Sequence, residues 1–206
     1  MIKTIIFDFG DVFINLDKEA TLRAILRKFP AFKMTKEIEC INQDYETGKL
    51  STEGFIAFYT NYLKTNNTTY LIDSWNAIIL DFPEHRLDFI KELSINNQFN
   101  LILLSNTNQL HIKQVIENMT SHRYEKFKSY FDKFYLSHNI GLRKPNKDIF
   151  EFVLNENKLE AKNCYYIDDT KEHIDSANQL GFQTWNLNPA EEDVVEMFKI
   201  NSEKFL

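Results

Sequence analysis

The chain has 206 residues, of which 43% are hydrophobic and 26% charged, and its net charge is −6. This length suits one α/β domain with a small insertion, and the balanced composition is typical of a globular protein. The acidic balance, without any basic stripe, argues against nucleic-acid binding, and no apolar run is long enough for a membrane span.

The two cysteines, Cys40 and Cys164, lie far apart in the sequence, and the five histidines have no metal-ligand spacing. Cys164 begins an apolar run, so we expect a buried, reduced thiol. Asp8 interrupts the apolar start of the chain, which is not the pattern of a signal peptide. The sequence therefore predicts a cytoplasmic protein, and we expect a monomer or a weak dimer.

Five short runs, rich in β-branched and aromatic residues, are candidate strands. They occupy residues 2–8, 99–106, 133–137, 164–169 and 182–187. A helical pattern comes before each of the four later candidate strands, at residues 83–97, 108–119, 145–159 and 171–181. Alternating strands and helices with nearly continuous apolar strands predict an α/β fold, a doubly wound parallel sheet with helices on both faces.

Residues 16–82 break this alternation because they contain no clear parallel-strand run. They have the pattern of four helices, at residues 18–29, 35–48, 51–63 and 70–80, with a polar loop at 64–70. An all-helical flank and an inserted helical cap would both give this pattern. We favour a cap, because the strands resume immediately afterwards. The predicted division is a core of residues 1–15 and 83–206 and a cap of residues 16–82.

Polar and charged residues stand at the ends of three predicted strands and in the region after the strand at 133–137. They are Asp8, Ser105, Asn106, Lys144, Asp168 and Asp169. Ligands of an open parallel sheet bind at the carboxyl ends of its strands, so we expect these side chains to converge. Clustered carboxylates stay ionised beside a cation, and Mg²⁺ prefers oxygen ligands. Mg²⁺, a lysine and backbone N–H groups together neutralise a phosphoryl group. The pattern predicts a site for Mg²⁺ and a phosphate.

The order of Asp8, "LLSNT", "KP" and "IDD" resembles the haloacid dehalogenase (HAD) superfamily over nearly the whole chain. The stretches "YETGKLSTEGF" and "SWNAIILDFPEHRLDFIKEL" are similar to its phosphatase branch with a helical cap. The nearest resemblance is to bacterial sugar-phosphate phosphatases that include glucose-1-phosphate phosphatases. It implies a Rossmann-like core and Mg²⁺-dependent hydrolysis of a small phosphorylated metabolite, such as a hexose 1-phosphate.

The resemblance implies a metal site built around the first strand. Asp8 would be the nucleophile that forms an aspartyl-phosphate and also a Mg²⁺ ligand, with the Gly10 carbonyl as a second ligand. Asp169 would be the further carboxylate ligand, with Asp168 beside it in the acidic pair. Asp169 could instead cap the following helix. His173 stands where relatives often have Asn or Asp, and we expect it at the helix surface.

The resemblance also implies a phosphate site with one departure from the family pattern. Ser105 and Asn106 would hold phosphoryl oxygens, and Lys144 would bridge nucleophile and phosphate. Gly10 stands where the usual Asp-x-Asp signature has its general acid, and Asp11 comes one residue too late to replace it well. Losing an acid costs about 10²–10⁴-fold in rate, least for a good leaving group such as an anomeric or acyl oxygen. The sugar-1-phosphate branch tolerates a glycine there.

Two other functions stay open at this point. A metal-independent 2-haloacid dehalogenase attacks carbon, but that branch typically has a bulky aromatic residue at position 10 and no acidic fourth motif. A non-catalytic protein that binds a phosphorylated ligand remains open because of Gly10. Phe13 and Asn15 are candidates for the pocket rim, whereas Tyr45 and Trp75 have the pattern of core aromatics.

Overall fold

The computed structural model describes residues 1–205, and its centre is a five-stranded parallel sheet. The strands are β1 (Thr4–Phe7), β2 (Asn100–Ser105), β3 (Lys133–Leu136), β4 (Cys164–Asp168) and β5 (Gln183–Asn186). Their order is β3-β2-β1-β4-β5, so β1 lies in the middle and pairs with β2 and β4. The predicted doubly wound sheet is confirmed.

Helices fill the connections and the long insertion after β1. They are α1 (Ala20–Lys28), α2 (Lys36–Glu46), α3 (Thr52–Tyr62), α4 (Thr68–Asn76), α5 (Glu84–Asn96), α6 (Gln109–Met119), α7 (Ser121–Lys128), α8 (Ser137–Ile140), α9 (Lys147–Glu156), α10 (Lys171–Gln179), α11 (Met197–Ile200) and α12 (Ser202–Phe205). Over residues 1–205, none of them has the length and apolarity to cross a bilayer.

The helical patterns read from the sequence are all present, with two differences. The predicted loop at 64–70 ends early, because Asn67 Oδ1 accepts a hydrogen bond from the Tyr70 backbone N–H at 3.0 Å and starts α4 at Thr68. The helices α7, α8, α11 and α12 were not predicted. Three of them span only four residues, which is too short for a periodic pattern to be recognised.

Alternating strand residues build a separate core on each face of the sheet. Ile5 and Phe7 of β1 belong to a cluster that includes residues of α5, α6 and α7, and Ile6 belongs to a cluster with residues of α9 and α10. Burial on both faces explains why the strands are continuously apolar. It also leaves the carboxyl edge of the sheet as the place where polar side chains can gather.

The helices α1 to α4 form a third apolar cluster, to which α6 adds Leu110. The two chain segments that connect this helical part to the sheet run side by side. Asn15 N–H donates to the Asp81 carbonyl at 2.9 Å, and Asp17 N–H donates to the Ile78 carbonyl at 2.9 Å. The predicted boundaries of the cap fall at these paired segments, and the division itself stays a prediction.

Candidate active site

A buried lysine lies between two aspartates at the centre of the carboxyl edge of the sheet. Asp8 directly follows β1, and its backbone N–H donates to the Ile167 carbonyl of β4 at 2.9 Å. Lys144 Nζ donates to Asp8 Oδ1 at 2.6 Å and to Asp168 Oδ2 at 2.7 Å. Lys144 and Asp168 are fully buried. Residues from three separate motifs therefore form one hydrogen-bonded chain.

Burial and mutual charge set the protonation of this chain. Burial raises the pKa of Asp8, Lys144 lowers it and the neighbouring aspartates raise it again, which leaves it at about 6. Burial would raise the pKa of Asp168, but Lys144 and His173 outweigh burial and hold that pKa below its usual range. Burial would lower the pKa of Lys144, but Asp168 and Asp8 raise it above its usual value. Lys144 therefore stays charged, and Asp8 is the more easily protonated carboxylate.

The Asp168 carboxylate is saturated with hydrogen-bond donors. Besides Lys144, it accepts from the Tyr166 hydroxyl, from the Thr170 backbone N–H at 2.8 Å and from His173 Nδ1 at 3.0 Å. A carboxylate offers about four lone-pair sites, so these four donors leave it little capacity for a cation. The geometry instead lets Asp168 orient Lys144.

The expectation that His173 lies at the helix surface is wrong. Its side chain is only 14% exposed, and its ring contacts Asp168 because the first turn of α10 follows β4 almost directly. The carboxylate that accepts a backbone N–H at the start of α10 also belongs to Asp168 and not to Asp169. In the described part of the chain, nothing therefore supports the alternative role of Asp169 as a helix cap.

Asp169 completes a cluster of three carboxylates. Oxygen atoms of Asp8, Asp168 and Asp169 lie within 4.8 Å of one another. Asp169 also contacts Lys18, whose Nζ lies 3.1 Å from Asp11 Oδ2. Asp8 Oδ2 has no hydrogen-bond partner among residues 1–205. Because all these donors are oxygens, the cluster fits a hard cation such as Mg²⁺, with freer oxygens on Asp8 and Asp169 than on Asp168.

The two predicted phosphate ligands lie at the carboxyl end of β2, where Ser105 is the last residue of the strand and Asn106 follows it. Asn106 Nδ2 donates to the Lys144 carbonyl at 2.8 Å, and Asn106 Oδ1 accepts from the Lys144 N–H at 2.9 Å. The amide nitrogen uses one of its two N–H groups on Lys144, so its second N–H and the backbone N–H are the donors that Asn106 can offer a phosphoryl oxygen. The buried Ser105 hydroxyl makes a long 3.4 Å contact with the Asn106 carbonyl, which leaves it the freer donor.

A leucine fills the space beside Gly10. A Cβ built on Gly10 would lie 2.6 Å from Leu16 Cδ1 and 3.9 Å from Asp8 Oδ2. A side chain at this position would therefore start next to Asp8, and Leu16 occupies that volume. Asp11 has a left-handed backbone with φ 54°, and its Oδ1 accepts from the Leu16 N–H at 2.9 Å. The loop thus holds Asp11 Oδ1, whereas Oδ2 lies 3.1 Å from Lys18 Nζ, and the poor fit of Asp11 as a general acid stays a prediction.

A cavity of about 120 Å³ lies beside Gly10, two residues after Asp8, and at the end of β2. Gly10, Ser105 and Asn106 line it together with two titratable residues, Glu46 and His111. Its remaining lining is mostly apolar and comes from Phe9, Ile14, Leu16, Ile78, Ile79, Thr107 and Val115. A largely apolar pocket with a few convergent polar groups is typical of a small-molecule site.

The helical part of the chain, α1 to α4, lines part of this cavity and contacts α6 and the loop before α9 near it. Glu46, at the end of α2, forms an ion pair with Arg143 at 3.0 Å. The Tyr45 hydroxyl accepts from the Leu110 backbone N–H at 3.2 Å, and Trp75 stacks on His111 with ring centroids 5.1 Å apart. Residues from both parts of the chain therefore surround the cavity.

The rim residues predicted from the sequence do not line the cavity. Phe13 is fully buried, with its ring centroid 5.3 Å from that of Phe7 and 5.1 Å from that of Phe127. Asn15 donates to Asp81 Oδ1 at 2.9 Å and accepts from Arg86 at 3.0 Å. Phe13 therefore belongs to the core, and Asn15 fixes the connection between the sheet and the helical part.

Sequence reasoning missed three residues of the site. Tyr166 precedes Asp168 by two positions, and since alternate strand residues share a face, the strand period could have revealed it. Lys18 and Glu46 lie in the helical part and reach the site only through the way that part packs on the sheet. No local pattern in the sequence marks either of them.

Comparisons with known proteins agree with this geometry. The sequence model of the family described as haloacid dehalogenase-like hydrolase matches residues 2–181. The D-ribitol-5-phosphate phosphatase of Bacteroides thetaiotaomicron is 28% identical over 190 residues, which cover 90% of this chain and 91% of that protein.

Solved structures of similar fold are also HAD family enzymes or hydrolases. A HAD family enzyme from Bacteroides thetaiotaomicron, solved with magnesium and inorganic phosphate, has a TM-score of 0.82 and 28% identity. That alignment covers 96% of this chain and 100% of the other. A HAD-like family hydrolase from Porphyromonas gingivalis has a TM-score of 0.79 and 26% identity, with 97% of this chain and 98% of that chain covered.

Proposed function

The chain belongs to the haloacid dehalogenase-like hydrolases, and from this premise we propose that it is a Mg²⁺-dependent phosphatase of a small phosphomonoester. The observation that carries the proposal is the chain of contacts from Asp8 through Lys144 to Asp168, beside Asp169 and the cavity. A carboxylate with one free oxygen, next to a fixed cation, suits nucleophilic attack on phosphorus.

In the proposed reaction, Asp8 Oδ2 attacks phosphorus, the bond from phosphorus to the alcohol oxygen breaks, and the alkoxide leaves and takes a proton from solvent. Water then attacks the aspartyl-phosphate, which releases phosphate and restores the Asp8 carboxylate. Lys144 holds Asp8 Oδ1 at 2.6 Å, so the other oxygen keeps a fixed direction. The same lysine cation lies close enough to attract the incoming phosphoryl group. Ser105 donates its hydroxyl to a phosphoryl oxygen, and Asn106 fixes the backbone of Lys144.

We assign the metal site to Asp8, the Gly10 carbonyl and Asp169, with Asp168 as the flanking member of the acidic pair. When bound, Mg²⁺ would neutralise charge on the phosphoryl group. The donor set supports this assignment, because the carboxylates of Asp8 and Asp169 and the carbonyl of Gly10 are oxygen ligands, the type that Mg²⁺ prefers. Asp168 stabilises the site by accepting a hydrogen bond from the charged Lys144 Nζ at 2.7 Å.

The substrate that we propose is a sugar or polyol phosphate, with a hexose 1-phosphate as one candidate. The cavity of about 120 Å³ has room for a small leaving group, and the helical cap over it would exclude water during the reaction. Leu16 fills the space that a general acid at position 10 would occupy, so a substrate whose leaving group needs no acid would suit the site best. The D-ribitol-5-phosphate phosphatase among the relatives adds polyol phosphates to the candidates.

The experiment is phosphate release from a substrate panel with Mg²⁺ and then with a chelator. The panel contains hexose 1-phosphates, hexose 6-phosphates, ribitol 5-phosphate and an acyl phosphate. We expect turnover that the chelator removes, with 1-phosphates and the acyl phosphate hydrolysed fastest. Equal turnover of 6-phosphates would indicate an acid that compensates for Gly10. No turnover, with phosphate analogues still bound, would favour the non-catalytic alternative.

Mg²⁺ affinity should depend on pH in this protein. The pKa of Asp8 is raised to about 6, and a metal ligand must lose its proton, so protons compete with the metal below that value. We expect Mg²⁺ to bind roughly tenfold more weakly at about pH 5 than at about pH 7. Calorimetric titration measures this difference, and Asp8→Asn should bind Mg²⁺ weakly with little pH dependence. Wild-type affinity that is constant over this range would contradict the assignment of Asp8 as a ligand.

A further inference from the structure

Glu46 has one oxygen that is held and one that is free. Both Arg143 contacts go to Glu46 Oε2, from Nε at 3.1 Å and from a terminal nitrogen at 3.0 Å. Glu46 Oε1 has no hydrogen-bond partner within residues 1–205. The side chain is 24% exposed and lines the cavity. A carboxylate fixed through one oxygen thus keeps its second oxygen for another donor.

The other titratable residue of the cavity has no such capacity. Asn108 Oδ1 accepts from the His111 N–H at 3.0 Å, which orients the amide so that its nitrogen donates to His111 Nδ1 at 3.1 Å. His111 Nε2 then donates to the Trp75 carbonyl at 3.2 Å. Burial also lowers the pKa of His111 to about 4, so the ring stays neutral. Both ring nitrogens are occupied, which leaves Glu46 as the titratable lining residue able to meet a substrate.

The opposite charges of Glu46 and Arg143 decide what the free oxygen of Glu46 can bind. Arg143 already balances the carboxylate, so the free oxygen favours a neutral hydrogen-bond donor over a second cation. The cavity wall around it is largely apolar, and a substrate hydroxyl entering such a wall needs an acceptor. Gly10 and Ser105 line the same cavity, and a Cβ on Gly10 would lie 3.9 Å from Asp8 Oδ2, so one substrate can place its phosphate at Asp8 and its alcohol at Glu46.

We propose that Glu46 is a specificity residue whose Oε1 accepts hydrogen bonds from hydroxyl groups of the leaving alcohol, with Arg143 as its positioning residue. The inference rests on the proposed phosphatase function and names the substrate class more closely. In this role, Glu46 selects phosphates of polyhydroxylated alcohols over phosphates of simple alkyl alcohols. A site built to accept hydroxyl hydrogen bonds discriminates strongly against analogues that lack them.

The test compares kcat/KM for ribitol 5-phosphate and for pentyl phosphate, which lacks the hydroxyls. We expect Glu46→Gln to lower the ratio of these two values roughly 10- to 100-fold, mostly through KM for the polyol phosphate. Arg143→Gln breaks the same ion pair but keeps the carboxylate, so it should lower the ratio less. Glu39→Gln, an exposed change on the same helix α2, is the matched control and should leave the ratio unchanged.

Other outcomes would overturn the inference in distinguishable ways. Equal losses on both substrates in Glu46→Gln would assign Glu46 a structural role. Losses on both alkyl and polyol phosphates, with p-nitrophenyl phosphate spared, would make Glu46 a general acid for poor leaving groups. Turnover of none of the three phosphates by the wild type would reject the phosphatase function, and the specificity inference with it.

Discussion

We expect the Asp8→Asn protein to release phosphate at least about 10⁴-fold more slowly than the wild type, while its fold stays intact. An amide oxygen can still accept the hydrogen bond from Lys144, which lies 2.6 Å from Asp8 Oδ1, but an amide does not attack phosphorus. Steady-state phosphate release with Mg²⁺ measures the loss. Turnover within about tenfold of the wild type would contradict the assignment of Asp8 as the nucleophile.

Thermal unfolding separates this loss from damage to the fold. Burial raises the pKa of Asp8 to about 6, so the folded state opposes ionisation of this carboxyl. The folded state therefore loses stability as the pH rises above the pKa that Asp8 has in the unfolded chain. Without metal at about pH 7.5, we therefore expect Asp8→Asn to melt no lower than the wild type. The neighbouring control is Asp11→Asn, which should lose less than about tenfold in rate on an alkyl phosphate. A loss of about 10²-fold or more would instead assign Asp11 the role of general acid.

A partition experiment tests the covalent intermediate itself. If every substrate passes through the same aspartyl-phosphate, the ratio of phosphate to methyl phosphate formed in dilute methanol is independent of the leaving group. We expect one ratio for an acyl phosphate, a sugar 1-phosphate and ribitol 5-phosphate. A ratio that changes with the leaving group would mean that water attacks the substrate directly, and Asp8 would then act as a base.

The sheet and most helices could be predicted because their burial follows a simple period. Strands covered on both faces, such as β1 with Ile5, Ile6 and Phe7 all buried, leave continuous apolar runs in the sequence. The four-residue helices near the end of the chain leave no such pattern. Phe13 shows another limit, because an aromatic residue in a loop after β1 could line a pocket or fill the core, and only the packing decides between them.

The chemistry at the strand ends could be predicted for a topological reason. Parallel strands bring their carboxyl ends to one edge, so Asp8, Ser105 and Asp168 had to meet wherever the helices lay. Glu46 and Arg143 are 97 residues apart, and their pairing depends on how α2 packs against the loop before α9. Such a contact has no local signal, and residues that determine specificity are therefore harder to read from one sequence than residues that carry the reaction.

The second large effect should come from Lys144, whose charge is fully buried between two carboxylates. In Lys144→Met, Asp8 and Asp168 lose the cation that both contact, and removing one partner of a buried ionic network costs about 3–5 kcal/mol. For a chain of this size, that corresponds to a melting temperature lower by roughly 6 to 20 °C. Phosphate release should also fall by at least about 10²-fold, because the cation near the phosphoryl group is gone.

The pH dependence of this destabilisation tests its cause. Lys144 and His173 outweigh burial and hold the pKa of Asp168 below its usual range, so the wild type keeps that stabilisation above the usual carboxyl pKa. Without Lys144, burial raises the pKa of both aspartates, and their protonation becomes easier as the pH falls. The melting temperature of Lys144→Met should therefore differ less from the wild type at about pH 5 than at about pH 7.5. The exposed Lys147→Met is the matched control, with a change of about 2 °C or less. A deficit of equal size at both pH values would mean that the loss comes from packing, and that Lys144 does not balance the two carboxylates.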